Sequence, residues 1–429
     1  AMLPGLVTIG IANMIYDVAI IGGGPAGMMA AGRAAECGAR VVLLEKNPSL
    51  GTKLLITGGG RSNVTNAEFD PHIFLSKFGR AGKFLFSPLS QFGVQDAIDF
   101  FHAHGMPTKI EAEKRVFPVS DSAQSVWDML VSYMRAGGVT VLSDAEVAGI
   151  DATDGCIAGI RLKNGDQVEA RSYILATGGK SHPETGSTGD GFRWLEKIGH
   201  AVDAPRPALV PLRVREPWIA ELSGSSFEGV KLSVFQGETK HSSKIGKLLF
   251  THFGLSGPLA LNMSREIDDL LKTGEVSVSV DLRPSMHSGA VDDELLGILE
   301  TQKNRQIGNA LEKFTKPLIV PALLRLAQID GEKPVHSITR SERPAIVSAI
   351  KDIRLSVDGL LGAEHAIVTS GGVSLREVDC KHMRSRIYPN LYLVGDILNI
   401  DRPSGGYSLQ LCWTTGFVAG TAAAKYTAE

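Results

Sequence analysis

A glycine-rich segment close to the start of the chain has the spacing of a nucleotide-binding loop. Its glycines form a Gly-x-Gly-x-x-Gly pattern that follows an apolar run and precedes a helical stretch. The first glycine of such a loop permits the turn, the second lets a pyrophosphate approach the backbone, and the third lets helix and strand pack closely. The positive end of the helix then faces the phosphates. The loop residues predicted to contact a dinucleotide are Gly22, Gly24, Pro25, Ala26 and Gly27.

An acidic residue stands where a dinucleotide-binding unit needs one. Glu45 ends the second apolar run, eighteen residues after Gly27, and Lys46 follows it. An acid about 20 residues beyond the loop accepts hydrogen bonds from ribose hydroxyls. Strand, loop, helix and acid therefore agree on dinucleotide binding, with Glu45 and Lys46 among the predicted contacts.

Two later segments favour FAD over NAD. Gly395 and Asp396 follow the last predicted strand, which places a carboxylate where the chain returns to the switch point of the sheet. Asp396 is expected to accept hydrogen bonds from a ribityl or phosphate-side hydroxyl. An earlier buried strand, which follows a β-meander, ends in a second glycine-containing turn. The predicted cofactor contacts in and before this turn are Val147, Ala176, Thr177, Gly178 and Gly179.

The final helix is predicted to begin at a pair of glycines, Gly405 and Gly406. The N-terminal end of a helix carries a positive partial charge, so it can stabilise the N1/C2=O region of a reduced flavin. The alternative is an ordinary helix start, since glycine pairs open many helices. The predicted contacts are Gly406, Tyr407, Ser408 and Leu409.

The segment from Gly51 to Asn66 combines glycines, amides and two basic residues. Such a loop can run beside the diphosphate and reach the flavin ring, with Lys53 and Arg61 matched to anionic or carbonyl groups. A solvated surface loop is the alternative, because polar glycine-rich segments are commonly turns. The predicted contacts here are Lys53, Gly60, Arg61, Ser62 and Asn63.

The elements that must position these residues follow the rhythm of an α/β protein with a parallel sheet. Helical periodicity and short strands around them, with a turn at Asn164-Gly165, predict a Rossmann-like domain with a three-stranded β-meander. After residue 200, prolines punctuate a change to alternating strands and then to short helices. The main predicted strands cover residues 15–21, 40–44, 139–142, 172–176 and 391–394. The predicted domains are an FAD-binding domain at 15–204 and 355–429, a β-rich insert at 205–287 and a helical subdomain at 288–354.

Composition excludes several classes of protein. The chain has 429 residues, 43% of them hydrophobic, and its 44 basic and 46 acidic side chains leave a formal charge of -2. A disordered chain and a polybasic nucleic-acid binder are therefore not expected. The four cysteines are scattered without disulfide or metal-ligand spacing, so we expect no metal site and a reducing cytoplasm. No basic segment precedes the first apolar stretch, and we expect neither a secretory signal nor a membrane helix.

Five motifs in order resemble a bacterial family of FAD-dependent oxidoreductases that includes aminoacetone oxidase-like and bile-acid-reductase-like flavoproteins. The resemblance spans residues 15 to about 425. The motifs are GGGPAGMMAAG, GTKLLITGGGRSNVTN, LATGGKSHPETGSTGDGF, LFTHFGLSGP and VGDILNIDRPSGGYSLQ. The resemblance implies non-covalent FAD and a glutathione-reductase-type FAD domain, split by an insert with a β-barrel-like part and a small helical part. Ser62 stands where the family often has cysteine, and Asp396 where it often has glutamate.

Two further segments carry candidate chemistry. His252 lies in LFTHFGLSGP, and a histidine beside a hydroxyl could act as an acid or base over the flavin. A lone histidine is more often a structural hydrogen-bonding residue, which is the alternative. The run from Gly186 to Gly191 fits either a contact with FAD or substrate or the cap of a following helix.

Missing motifs narrow the chemistry. The isolated cysteines argue against thiol–disulfide exchange, and no second strand-linked Gly-x-Gly-x-x-Gly motif predicts an NAD(P)H domain. Electrons must then come from the substrate or from NAD(P)H that visits the flavin transiently.

Three functions remain open from the sequence. The first is hydride transfer between flavin N5 and a small amine, a ketone-conjugated compound or an activated C=C compound. The second is reduction of a uridine ring in RNA, for which a local basic patch would comprise Lys231, Lys240, Lys244 and Lys247. The third is a non-catalytic flavin-binding redox sensor. The sequence does not fix the oligomeric state.

Overall fold

The computed structural model describes residues 16–426, so Ile15 of the first predicted strand lies outside the described residues. The chain forms two compact units. The first runs to Pro207 and resumes at Ala366, and the second is Ala208–His365. Each unit has its own buried apolar core.

A seven-stranded sheet forms the centre of the first unit. Its runs of Val, Ile and Leu are buried on both faces, as expected for parallel strands covered on both sides. In spatial order its strands are β19 (Val378–Asp379), β20 (Arg384–Ser385), β21 (Leu391–Leu393), β10 (Ala170–Leu175), β1 (Tyr16–Ile21), β2 (Val41–Leu44) and β6 (Thr140–Leu142). The five strands from β21 to β6 are parallel to one another, and β19 and β20 pair antiparallel at the β21 edge. The Rossmann-like prediction is confirmed.

Helices pack beside this sheet at short distances. The helix that follows β1 contacts the last helix so closely that a Cβ at Gly416 would lie 2.5 Å from the carbonyl oxygen of Ala26. This approach explains the small residues of the last helix. The helices of the first unit are α1 (Pro25–Glu36), α2 (Thr52–Ile56), α3 (Pro71–Ser76), α4 (Gly82–Gln91), α5 (Val94–Ala103), α6 (Ala123–Ala136), α7 (Asp190–Lys197) and α13 (Tyr407–Tyr426).

Three smaller sheets complete the first unit. The predicted meander is present as an antiparallel sheet, and the Asn390 amide fixes it by pairing with the N–H and C=O of Ile157, both at 2.9 Å. The meander strands are β7 (Val147–Thr153), β8 (Cys156–Leu162) and β9 (Gln167–Val168). The second sheet contains β3 (Thr65–Asn66), β5 (Arg115–Pro118) and β4 (Thr108–Ile110), and the third pairs β11 (Val202–Ala208) with β18 (Val368–Val373).

The second unit is a closed six-stranded barrel with a helical part. Valines and leucines of its strands share one core with the helices, so barrel and helices form a single unit. In barrel order the strands are β12 (Leu212–Val214), β15 (Gly254–Ser256), β14 (Thr239–Thr251), β13 (Ser226–Gln236), β16 (Val276–Asp281) and β17 (Ile353–Leu360). The helices are α8 (Gly257–Leu271), α9 (Ser288–Thr301), α10 (Ile307–Leu311), α11 (Val320–Ala327) and α12 (Glu342–Lys351).

The structure departs from the predicted boundaries at two places. The second unit ends at His365 instead of residue 354, because β17 pairs with both β12 and β16 and thereby closes the barrel. The segment 51–66 is not one loop, because it contains α2 and β3. Across residues 16–426 no helix is long and apolar enough to span a membrane, and no group of three or more His, Cys, Asp or Glu residues could hold a metal ion.

Candidate functional site

A cavity of about 1250 Å³ opens in the first unit, and every residue that lines it belongs to that unit. Its wall is formed by the carboxyl ends of β1, β2 and β10 and by the first turns of α1 and α13. Ligands bind at this edge of open α/β sheets. The lining runs from Glu45 and Lys46 after β2 to Asp396 and Leu409 beside the start of α13.

The glycines of the loop have the separate structural roles that their spacing predicted. Gly22 has a φ of 104°, and a Cβ there would lie 2.5 Å from the carbonyl oxygen of Ala176. A Cβ at Gly27 would lie 1.9 Å from the carbonyl oxygen of Gly22, so this glycine lets α1 pack on the turn. Gly24 has open space in the direction of a Cβ and lines the cavity. Backbone can therefore be approached closely only at Gly24, where α1 begins.

Glu45 is a buried carboxylate at the end of β2. Its Oε2 accepts the N–H of Gly23 at 2.7 Å, and its Oε1 accepts the N–H of Asn47 at 2.8 Å. Burial raises the pKa of Glu45, while these two hydrogen bonds lower it. The side chain lines the cavity and also braces the glycine loop.

Lys46 and Asn47 connect the end of β2 to the segment that precedes α7. The Lys46 ammonium donates to Thr188 Oγ1 at 2.6 Å and to Asp190 Oδ2 at 3.0 Å, and Asn47 Nδ2 donates to the carbonyl oxygen of Thr185 at 3.0 Å. Burial raises the pKa of Asp190, but hydrogen bonds from Thr188, Lys46 and Arg193 bring it to about 2. The segment therefore closes one side of the cavity.

Asp396 also lines the cavity and is ion-paired with Arg402. The Arg402 side chain is fully buried, and it also donates to Ser408 Oγ at 3.0 Å and to the carbonyl oxygen of Ile400 at 2.7 Å. Asp396 is thus held against the first turn of α13, whose residues Ser408 and Leu409 line the cavity. The first N–H groups of a helix have no partner within the helix, which leaves them available to a ligand.

Most of the predicted cofactor contacts converge on this cavity. Their contact with a cofactor stays a prediction, but the structure brings them together from positions far apart in the chain. The predicted residues that line the cavity are Gly22, Gly24, Pro25, Ala26, Glu45, Lys46, Lys53, Val147, Ala176, Thr177, Gly178, Gly395, Asp396, Ser408 and Leu409.

Eight predicted contacts lie outside the cavity lining, and three of them belong to the Gly60–Ser62 turn. Arg61 is paired with Glu111 and Asp121 and lies over the ring of Phe117. Its charge is thus neutralised by carboxylates of the protein, whereas the sequence predicted that Arg61 would pair with an anionic or carbonyl group of the cofactor. Gly60 lies in a tight turn, and Ser62 is fully buried with a φ of 58° and no hydrogen-bond partner for its hydroxyl among the described residues.

The other five have packing roles. With its amide oriented so that donors meet acceptors, Asn63 accepts the N–H of Gly406 at 3.0 Å. A Cβ at Gly406 would lie 2.4 Å from the Thr65 carbonyl, so this glycine is required by β3. The Tyr407 ring packs against Phe74 and Phe78. The remaining two are Gly27, which packs on Gly22, and Gly179, where a Cβ would lie 2.3 Å from Thr369 Oγ1.

His252 belongs to the second unit. It is exposed in the turn between β14 and β15, and its ring packs edge-on against Phe253 with 4.9 Å between centroids. A catalytic role for His252 stays a prediction.

Sequence reasoning missed several residues that shape the site. Arg402 lies in the same motif as Asp396, six residues later, so a basic residue within reach of the carboxylate was a usable signal. Asn47 directly follows Glu45 and Lys46, the two predicted residues that come after β2. Nothing in the sequence indicated that Ser181 would accept a hydrogen bond from Lys53 or that Cys412 would line the cavity.

The residues present fit FAD. The open backbone at Gly24 can take a diphosphate, and the cavity is lined by two carboxylates, Glu45 and Asp396, which could accept hydrogen bonds from ribose and ribityl hydroxyls. The buried hydroxyl of Thr177, a residue of the cavity wall, has no hydrogen-bond partner among residues 16–426. Buried polar groups are nearly always paired, so an unpaired hydroxyl here indicates a ligand that supplies the partner.

The fold and this cavity define an FAD-dependent oxidoreductase. Residues 16–422 match the HI0933-like protein Rossmann domain, and the chain belongs to that family.

Several relatives match almost the whole chain, among them two that are more than 30% identical to it. A 3-dehydro-bile acid delta(4,6)-reductase from Clostridium scindens is 31% identical over 412 residues, which cover 95% of this chain and 99% of the relative. A ribosomal RNA dihydrouridine synthase from Escherichia coli is 32% identical over 407 residues, covering 94% and 96%. The solved 3-ketosteroid-delta4-(5alpha)-dehydrogenase from Rhodococcus jostii RHA1 has a TM-score of 0.55 at 16% identity, covering 97% of this chain and 98% of that chain, and shows the fold alone.

Proposed function

We propose that this protein reduces a carbon–carbon double bond conjugated to a carbonyl group in a small molecule. The observation that carries the proposal is the near-equal similarity to the two relatives, at 31% and 32% identity over almost the whole chain. Their names describe different substrates, but one type of bond is reduced in both.

The common chemistry follows from the structures of the two named substrates. The first name describes a 3-dehydro-bile acid with double bonds at positions 4 and 6, which are conjugated with its 3-oxo group. Dihydrouridine differs from uridine by saturation of the C5–C6 bond, which is conjugated with the C4 carbonyl. In each case the carbonyl stabilises the negative charge that develops when hydride adds to the far carbon of the double bond.

The residues of the cavity would hold FAD along its length. The start of α1 at Gly24 would hold the diphosphate, Glu45 would accept the adenosine ribose, and Asp396, fixed by Arg402, would accept the ribityl chain. The N–H groups of the first turn of α13 would stabilise negative charge on the reduced ring. Bound FAD supplies the hydride carrier, which no side chain of a protein can provide.

We propose NADH or NADPH as the reductant of the flavin. The sequence contains one Gly-x-Gly-x-x-Gly loop of the Rossmann type, and that loop lines the cavity assigned to FAD. A nicotinamide would therefore bind transiently and leave before the substrate enters.

Charge pairing in the barrel favours a small molecule over RNA. Lys231 is 3.2 Å from Asp281, and Lys247 is 3.1 Å from Glu228, so two of the four lysines that could form a basic patch are neutralised. RNA binding depends on several unneutralised cations that displace counterions from phosphates.

An anaerobic experiment tests the function. The yellow, oxidised protein is titrated separately with NADH, NADPH and aminoacetone, and protein that a nicotinamide has reduced is then mixed with a 3-oxo-Δ4 bile acid or with ribosomal RNA. We expect a nicotinamide to bleach the flavin and the bile acid to restore its colour with formation of the saturated ketone. Reoxidation by ribosomal RNA, with formation of dihydrouridine, would show that RNA is the substrate instead. Bleaching of the oxidised protein by aminoacetone would indicate an amine oxidase. A flavin that no donor reduces would indicate a redox sensor.

A further inference from the structure

We propose that Lys53 holds a positive charge against the reduced flavin and thereby raises its reduction potential. The inference rests on the FAD cofactor and is independent of the substrate proposed above.

The Lys53 ammonium is fixed inside the wall of the cavity. It donates to the side-chain hydroxyl of Ser181 and to the carbonyl oxygen of the same residue at 3.3 Å. Ser181 is fully buried, so these bonds hold the ammonium at one place. Among the described residues, no carboxylate lies within ion-pair distance of Lys53, although burial lowers its pKa and Asp396 raises it.

The other lysine of the lining and the arginine beside Asp396 are already paired with carboxylates. Lys46 is paired with Asp190, and Arg402 is paired with Asp396. Glu184, the other carboxylate that acts on Lys53, is hydrogen-bonded to His182 at 2.7 Å. Among the described residues, Lys53 is therefore a cation of the cavity wall that has no carboxylate as an ion-pair partner.

Lys53 lines the same cavity as Asp396, Cys412 and the first turn of α13. Asp396 is the carboxylate whose charge acts most strongly on Lys53, and Glu184 acts less. Arg402, the partner of Asp396, also bonds Ser408 in the first turn of α13. The diphosphate has another candidate partner in the glycine loop at the start of α1, where Glu45 holds the N–H of Gly23.

An unpaired cation beside an apolar ligand is costly unless the ligand supplies the opposite charge. FAD in the cavity would exclude water from the ammonium and strengthen any charge that faces it. The isoalloxazine ring is neutral when oxidised and gains negative charge on reduction. Lys53 therefore binds reduced FAD more strongly than oxidised FAD, which is equivalent to a higher potential.

The test compares Lys53→Met, Lys53→Arg and the control Lys83→Met, which removes an exposed ammonium of α4 outside the cavity lining. The flavin midpoint potential of each holoprotein is measured by anaerobic equilibration with a reference dye. We expect Lys53→Met to lower the potential, Lys53→Arg to keep most of the parental value, and Lys83→Met to leave it unchanged. Lys53→Met should therefore weaken the binding of reduced FAD at least about tenfold more than the binding of oxidised FAD.

Titrating apoprotein with oxidised and reduced FAD gives the same ratio when a variant loses its cofactor during purification. An equal loss of both affinities would assign Lys53 to the diphosphate and overturn the proposal. Two affinities equal to those of the parent would overturn it as well. Neither measurement uses a substrate, so the result is separate from the fate of the proposed reductase activity.

Discussion

At the scale of single residues, Glu45 combines two tasks. Its carboxylate faces the cavity, and it also holds the N–H groups of Gly23 and Asn47. We expect Glu45→Ala to weaken FAD binding by roughly tenfold to a hundredfold, because hydrogen bonds to a charged group contribute about 1.5–3 kcal/mol. Glu45→Gln should lose less, since its amide oxygen still accepts one bond. Fluorescence titration of apoprotein with FAD measures the change.

The matched control is Glu196→Ala, which removes an exposed carboxylate of α7 outside the cavity lining. Its FAD affinity should equal that of the parent. If Glu45→Ala also binds FAD as tightly as the parent, the assignment of the ribose acid is wrong.

Gly406 separates a packing requirement from a cofactor contact. Its φ is 102°, and a Cβ would lie 2.4 Å from the carbonyl group of Thr65. Gly405 has a similar φ of 107°, but its nearest neighbour would lie at 3.8 Å. We expect Gly406→Ala to lower the free energy of unfolding by about 1–3 kcal/mol more than Gly405→Ala, because only the first adds a backbone clash to the strained φ. Urea unfolding measures both variants, and equal losses would show that the clash is relieved by local movement.

At the scale of elements, a buried histidine joins the end of α7 to the antiparallel edge of the sheet. His200 bonds Glu377 through Nδ1 at 2.8 Å and Ser385 through Nε2 at 3.0 Å. Burial lowers the pKa of His200 below its ordinary 6.5, although Glu377 raises it in part. The unfolded chain therefore takes up a proton at a higher pH than the folded protein does.

The sign of the pH dependence follows from this order. Stability is complete above pH 6.5 and falls as the pH drops below 6.5 toward the folded pKa, because the unfolded state then binds more protons. We expect His200→Gln to be less stable at pH 7.5 but to lose less stability between pH 7.5 and 5.5 than the parent does. His72→Gln, a change at an exposed histidine, should keep the parental slope. Identical slopes in all three proteins would remove His200 as the cause.

At the scale of the whole molecule, the cavity draws its lining from one compact unit alone. A ligand stabilises the state that binds it by about 2.7 kcal/mol at a hundredfold excess over Kd. We expect removal of FAD to raise amide hydrogen exchange in the first unit, above all in residues 180–189, which close the cavity through Lys46 and Asn47. Exchange in the core strands of the barrel should change little. An equal rise across the barrel core would contradict a site confined to the first unit.

The sequence by itself determined the FAD-binding unit. Gly22, Gly24, Gly27 and Glu45 form a local pattern in which each position has a defined physical role, so spacing alone predicted strand, turn, helix and acid. The buried strands and the meander followed from runs of apolar residues and one Asn-Gly turn. These features depend on residues close in sequence, whose backbone requirements leave little choice.

Only the tertiary structure decided which polar residues face the cavity. Lys53 and Arg61 lie in one segment and looked alike in the sequence, but α2 brings Lys53 to Ser181, whereas Glu111 and Asp121 capture Arg61. The partners are 50 or more residues away, and no local pattern encodes such pairs. The end of the second unit was likewise fixed by the barrel, because a strand closes a barrel only where both neighbouring edges are free to pair.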